Sequence, residues 1–385
     1  MKKKIWIFLS YVLVAALASA VTLGVTYGSM SSAMAKMIQL EELLEDKFIG
    51  TVNEKAITDA AADAMVAELG DRWSYYMSAE DYEAYLEQMA NAYVGVGITI
   101  QVMEDESGFH ILQVTQGGPA EEAGLLAGDV LTGVEGQSVG GWATSEVRNL
   151  VKGKEGTFVE LTVLREGEEI TFSVERRAIQ TPVASAVMLE NNVGLVRIVN
   201  FDSRCADETI AAIEQMLEQG AEALIFDVRY NPGGYANELV RLLDYLLPEG
   251  ELFRMLDYAG KESVDMSDAA CLEMPMAVLV NGDSYSAAEF FAAALREYDY
   301  AVVVGEQTVG KGYFQRSYRL IDGSAVGLSV GKYFTPKGIS LAEAGGIVPD
   351  IPVEVTEEEA FAIYAGSMEP MEDPQILAAM DALRK

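Results

Sequence analysis

The chain has 385 residues, half of them hydrophobic, enough to fill more than one core and to predict two or three domains. With 60 acidic against 27 basic residues the formal net charge is -33, which repels a phosphate backbone and excludes a nucleic-acid role. The single histidine, His110, excludes a His-rich metal site and leaves a Ser-His-Asp hydrolase only that one residue to use, so no metal or cofactor is called for.

Met1 to Lys4 is basic, and Ile5 to Tyr27 is an uncharged, predominantly apolar run, long enough to cross a bilayer core of roughly 30 Å. By the positive-inside rule the lysines stay cytoplasmic and the rest is exported, giving a single-pass protein of the cell membrane with an extracytoplasmic body. The alternative is a cleaved signal peptide, with Ala18-Ser19-Ala20 or Ala33-Met34-Ala35 as small-residue sites; the length of the run favours an anchor over residues 1–29. Cys205 and Cys271 lie far apart in unlike contexts, and the expectation is two unpaired thiols.

Residues 30–92 read as helical, through Met37, Leu40, Leu43 and Leu44, then Ala60, Ala64, Met65 and Leu69, then an aromatic-rich piece with Trp73, Tyr76, Tyr82 and Tyr85. Asn53 or Thr58 suits the N-cap of the second helix, and Gly70 its end. Two readings stay open: a helical layer packed on the body, or a helix pair used for self-association into a homodimer.

Residues 93–177 change to strand period and turn chemistry. Val96 to Val102 and Phe109 to Val114 predict strands, Gly118-Pro119-Ala120 opens a short helix ending near Gly124, and Gly128-Asp129 turns into Val130 to Val134. A second helix is expected over Thr144 to Val151, then two strands meeting at Glu166-Gly167. The stretches VGVGITI and GGPAEEAGLLAGDVLTGVEGQSV resemble a PDZ domain over its full span. Gly95, Val96, Gly97 and Ile98 form the loop and strand start that would receive a peptide's free C-terminus, with an edge for β-augmentation. His110, alternating with Phe109 and Ile111, reads as an ordinary strand histidine.

Residues 178–385 alternate strand and helix, which predicts an α/β core. Ala223 to Val228 and Met276 to Val280 are continuous apolar runs, expected of strands buried on both faces. Asn231-Pro232-Gly233-Gly234 then breaks sharply into a helix, exposing amides where negative charge would be stabilised. Ser286 precedes a helix and suits either an N-cap or a nucleophile, with Ser284 competing. Lys311 stands between Gly310 and Gly312 ahead of a strand, without the spacing of a phosphate-binding loop. A lysine acting as base must be neutral, and lowering its pKa from about 10.4 toward 7 takes roughly 4 to 5 kcal/mol, which burial can impose.

The run VNGDSYSAAEFFAAALREYDYAVVVGEQTVGKGYFQ resembles the C-terminal processing (tail-specific) serine peptidases, with Ala288 at a position where serine is common. The resemblance implies a crotonase/ClpP-like α/β protease core carrying a PDZ domain and an N-terminal helical segment behind one transmembrane helix. It implies Ser286 as nucleophile, Lys311 as base, Gln315 as the residue orienting the lysine, and Ala287 with Gly233 or Gly234 as oxyanion donors. The function implied is a membrane-anchored serine endopeptidase that recognises protein or peptide C-termini and cleaves through an acyl-enzyme. A catalytically silent PDZ scaffold for exported C-termini is the competing reading; a crotonase-like acyl-CoA enzyme fits poorly with export and with the PDZ insert. Asp373-Pro374-Gln375 is expected to start a last helix whose stripe Ile376, Met380 and Leu383 docks on the body or on a second subunit.

Overall fold

Strand pairing, more than helix propensity, sets where the functional residues fall. The structure, a computed structural model, describes residues 32–103, 105–115 and 117–384. The expected span over Ile5 to Tyr27 lies outside them, and among the described residues no helix is long and apolar enough to cross a membrane.

Helices α1 (Ser32–Lys47) and α2 (Glu54–Ala67) form as the apolar spacing predicts, and neither buries a residue. Asn53 caps α2 by accepting the Ala56 amide at 3.1 Å, and Gly70 follows its end in the left-handed region at φ 65°. The helical reading fails at the start of the third piece and holds for the rest of it. Tyr75–Met77 is a strand, β1, paired antiparallel with Ala325 to Gly327, because its backbone finds partners on an existing sheet edge that outweigh a weak helical pattern. Helix α3 (Ala79–Met89) follows, with the Ser78 hydroxyl accepting the Asp81 amide at 3.2 Å.

Next come β2 (Ala92–Gly95), β3 (Ile98–Val102), β4 (Phe109–Val114), α4 (Pro119–Ala123), β5 (Val130–Val134), β6 (Gln137–Ser138), α5 (Thr144–Val151), β7 (Phe158–Arg165), β8 (Glu168–Glu175) and β9 (Arg177–Gln180). The main sheet runs β3-β4-β5-β7-β8, with β3 at one end, while β2 pairs with β9 as a two-stranded stem. Alternate residues of β4, β5 and β7 fill one core with Val147 and Val151 of α5. Glu166 and Gly167, both at positive φ, make the tight β7–β8 turn. Arg165 grips Asp129 with two bonds of 2.7 Å, and this ion pair holds the Asp129 carboxyl below its ordinary range despite partial burial.

The remaining chain supplies β10 (Ala184–Met188), β11 (Val193–Ile198), α6 (Cys205–Glu218), β12 (Ala223–Asp227), α7 (Ala236–Leu246), β13 (Gly250–Asp257), β14 (Glu262–Ser267), β15 (Met276–Val280), α8 (Ala287–Glu297), β16 (Ala301–Gly305), β17 (Tyr313–Arg319), β18 (Ala325–Phe334), α9 (Leu341–Ala344), β19 (Ile351–Pro352), α10 (Glu357–Ala365) and α11 (Pro374–Leu383). The central sheet has the order β10-β11-β12-β15-β16-β19, parallel except for β10. Every residue of β12 and β15 is buried, as their unbroken apolar runs require. One face packs on α6, α7 and α8; the other receives Ile376 and Met380 of α11, so the C-terminal stripe docks on the body. Arg229 locks that docking, bonding Asp227, Asp373 and Gln375 in a buried cluster. A second, antiparallel sheet runs β1-β18-β13-β14 with β17 on β18. Both cysteines are free.

Candidate active site

Ser286 sits where β15 breaks into α8. The break is held by Asn281, whose side-chain oxygen accepts the Tyr230 amide at 2.9 Å and whose own amide donates to Ser284 Oγ at 3.0 Å. Ser284 donates that hydroxyl to Val228 O at 2.7 Å and is fully buried, so it is a structural residue and leaves Ser286 without a competitor. Ser286 occupies the helix N-cap: the Glu289 amide donates to Ser286 O at 2.9 Å, and the Ser286 amide donates to the Glu289 carboxylate at 2.9 Å. Its φ of 58° and ψ of -125° are uncommon for a residue with a side chain, and such a conformation costs of order 1–3 kcal/mol. Ala287, the first residue of α8, has no intrahelical acceptor for its amide.

The Asn231–Gly234 turn leans on this strand-to-helix elbow. A Cβ on Gly233 would stand 2.8 Å from Ser286 Cβ and 2.9 Å from Ala287 N, and one on Gly234 would stand 2.2 Å from Phe201 O, so both contacts require glycine. The Gly233 amide donates to Asn231 Oδ1 at 2.8 Å, whereas that of Gly234 has no acceptor among the described residues.

Lys311 lies in the loop between β16 and β17, and one carboxylate ties this loop to the elbow. Glu289 is wholly buried and accepts from Ser286 N at 2.9 Å, Lys311 N at 2.8 Å, Gly310 N at 2.7 Å and Thr308 Oγ1 at 2.5 Å. Four donors on two oxygens use the full acceptor capacity of a carboxylate. Sequence reasoning placed Glu289 only as a motif position three residues beyond Ser286; the four bonds depend on loops distant in sequence.

The half-buried Lys311 ammonium makes no hydrogen bond among the described residues, to Ser286 Oγ or to any other group. Nζ lies instead over the rings of Trp73, at 5.0 Å, and Tyr285, at 5.4 Å. Burial pulls its pKa below the ordinary lysine value, and the negative charges of Glu289 and Asp71 offset part of that fall. Asp71 is itself ionised: burial pushes its carboxyl up, but hydrogen bonds from Ser329 and Ser74 outweigh it and leave it below the ordinary value. Asp71 and Trp73 escaped the sequence reading because that stretch was assigned to helix, where neither would reach a loop some 240 residues away.

Gln315 makes no hydrogen bond to Lys311 among the described residues. A bulge in the β17–β18 pairing lies at Phe314/Gln315, and the Gln315 amide donates to Tyr313 O at 3.1 Å and Ser329 Oγ at 3.2 Å. His110 is exposed on β4, away from this cluster.

Gly95, Val96, Gly97 and Ile98 line a cavity of about 570 Å³ between β3 and α5. Ala84, Glu87 and Gln88 of α3 form another part of its wall, and Lys152 bonds Glu87 across it at 2.9 Å. Gln88 and Asn91 also line a second cavity, of about 660 Å³, that reaches Pro232 and Tyr285 beside the two turns of the site.

Residues 192–353 match Peptidase family S41 and residues 95–175 match the PDZ domain. Over 370 residues the chain is 30% identical to the carboxy-terminal processing protease CtpA of Bacillus subtilis (strain 168), covering 93% of this chain and 79% of that one. It is similar in fold to a Bacteroides fragilis NCTC 9343 protein assigned to the S41 proteases, with a TM-score of 0.54 and 18% identity, covering 85% of this chain and 90% of that one. It is also similar to the photosystem II D1 C-terminal processing protease, at 27% identity and a TM-score of 0.47, covering 82% and 86% of the two chains. Fold and comparisons together define a serine-type protease with a PDZ domain. The chain belongs to the C-terminal processing peptidases of family S41.

Proposed function

We propose that the chain is a membrane-anchored serine endopeptidase in which the PDZ domain takes a substrate's C-terminus and a Ser286/Lys311 pair cuts through an acyl-enzyme. The observation that carries this reading is Glu289, one buried carboxylate holding the backbone of both residues. Neutral Lys311 takes the Ser286 proton as Oγ attacks the scissile carbonyl, then returns it to the departing amine; water repeats the sequence on the ester. The Ala287 amide, with Gly233 or Gly234, receives the developing oxyanion, and Gln315 orients Lys311 once its side chain swings from Ser329. The unbonded Ser286–Lys311 pair and the Glu87–Lys152 bridge across the peptide cavity support a resting arrangement that substrate closes. The parallel sheet carrying both turns supports a crotonase/ClpP-like core, and residues 1–29, 30–92, 93–177 and 178–385 serve as anchor, helical region, PDZ domain and catalytic core.

The test is the full chain with an unfolded protein ending in apolar residues. Expected are cleavage and labelling of Ser286 by an active-site-directed serine probe; peptide binding without either would instead make the chain a silent scaffold.

The pH dependence has a defined sign. Lys311 works as the neutral amine, so activity rises as pH climbs through its folded pKa, below the ordinary value of about 10.4. Asp71→Asn removes a negative charge that favours the ammonium, and the acid limb of the kcat profile is expected to move to lower pH. An unmoved or raised limb would separate Lys311 from that limb.

A further inference from the structure

In a chain of net charge -33, Arg197 near the end of β11 makes no direct ion pair or hydrogen bond among the described residues, and acts on Asp227 only through its field. Its strand register places it opposite Asp227, but both oxygens of that carboxylate are already taken by Arg229. Arg197 lines the cavity of about 660 Å³ whose wall also holds Pro232 and Tyr285, the residues immediately before Gly233 and Ser286. This space borders the two turns of the site.

The other polar groups of the wall are largely satisfied by one another. Asn91 Nδ2 donates to Asn200 Oδ1 at 2.7 Å, Asn200 Nδ2 returns a bond to Asn91 Oδ1 at 3.1 Å, and the Tyr230 hydroxyl donates to Ala360 O at 3.0 Å. Tyr230 and Tyr364 stack edge to face with centroids 5.2 Å apart, giving an aromatic side. Asp283 also lines the cavity, yet it forms no ion pair with Arg197. Arg197 also lines a smaller cavity of about 300 Å³ beside Asp227, Glu369 and Asp373, and its half-buried guanidinium is a fork suited to two bonds with a carboxylate.

We propose that Arg197 is a specificity residue that binds a carboxylate of the substrate peptide, either an acidic side chain or the chain terminus. The inference rests on the proteolytic reading of the neighbouring turns. An acidic peptide is repelled by the molecule's overall charge, so a local preference for a carboxylate marks a dedicated cation.

Binding of fluorescent peptides to the full chain carrying Ser286→Ala tests this without turnover. The peptides share an apolar C-terminus, carry Glu or Gln at successive positions, and end free or amidated. At one position Glu is expected to bind about tenfold or more tightly than Gln, the scale of a charge-assisted pair. Adding Arg197→Met brings that ratio near one, Arg197→Lys keeps part of it, and Arg197→Glu shifts the preference to a lysine peptide. If the chain terminus is the ligand, the ratio that collapses in Arg197→Met is free over amidated. Glu/Gln and free/amidated ratios in Arg197→Met equal to those of its parent would overturn the proposal. Thermal melting checks that each variant is folded. Failure of the wild-type chain to cleave any substrate would count against the proteolytic reading while leaving these ratios measurable.

Discussion

Lys311→Met is expected to give a protein that is both inactive and more stable. Loss of the base removes the step on which Ser286 depends, and knocking out one member of such a unit lowers kcat by on the order of 10⁴-fold or more. Ser286→Ala gives the same loss, and the double variant falls no further, because the two residues act on one proton. Stability moves the other way for Lys311. Its folded pKa lies below its unfolded one, so the folded state disfavours the ammonium, and wild-type stability rises as pH climbs from the folded toward the unfolded value. Below the folded pKa the penalty is complete; above the unfolded value, about 10.4, it is gone. The gain on replacement by methionine therefore appears at neutral pH and below and fades in strong alkali. Melting curves of wild type and Lys311→Met from pH 6 to 11 read it directly. A variant melting below wild type at neutral pH but level with it in strong alkali would show that Trp73, Tyr285, Glu289 and Asp71 stabilise the ammonium more than burial disfavours it.

Which parts were legible in the sequence follows from how local their causes are. The PDZ elements were readable because each rests on short-range signals: Pro119 at a helix start, Gly124 in the left-handed region at its end, Glu166-Gly167 in a tight turn. Ser286 and Lys311 were readable as residue types in loops after buried strands. Tyr75–Met77 was not, since its strand state comes from a partner some 250 residues on. Asp71 and Trp73 were missed with it, and the environment of Lys311 lost its aromatic lid. The bonds of the Gln315 amide to Tyr313 O and Ser329 Oγ, beside a bulge, are announced by no local pattern. Arg197 shows the same limit. In sequence it is one charged residue in an apolar strand, and only the arrangement of Asp227 with Arg229 leaves it without a direct ion pair among the described residues.

Glu289→Gln is expected to damage fold and activity together. The wild-type side chain faces backbone amides of Ser286, Lys311 and Gly310 and the hydroxyl of Thr308, and donates to none of them. An amide in its place turns an NH₂ toward donors that need acceptors, and each buried donor left unmet costs roughly 1–3 kcal/mol. The melting temperature is expected to fall by about 5 °C or more. The elbow and the lysine loop then lose their shared anchor, and a displacement of the base by about 1 Å is enough to cost on the order of 10²-fold in rate. Thr308→Val separates the two effects. It removes one of the four donors, and the acceptor for the Ile347 amide, without touching the bonds to Ser286 and Lys311. It is expected to lower stability while keeping most of kcat. A Glu289→Gln enzyme with wild-type kcat would show that the clamp supports the fold alone and that the placement of Ser286 against Lys311 comes from elsewhere.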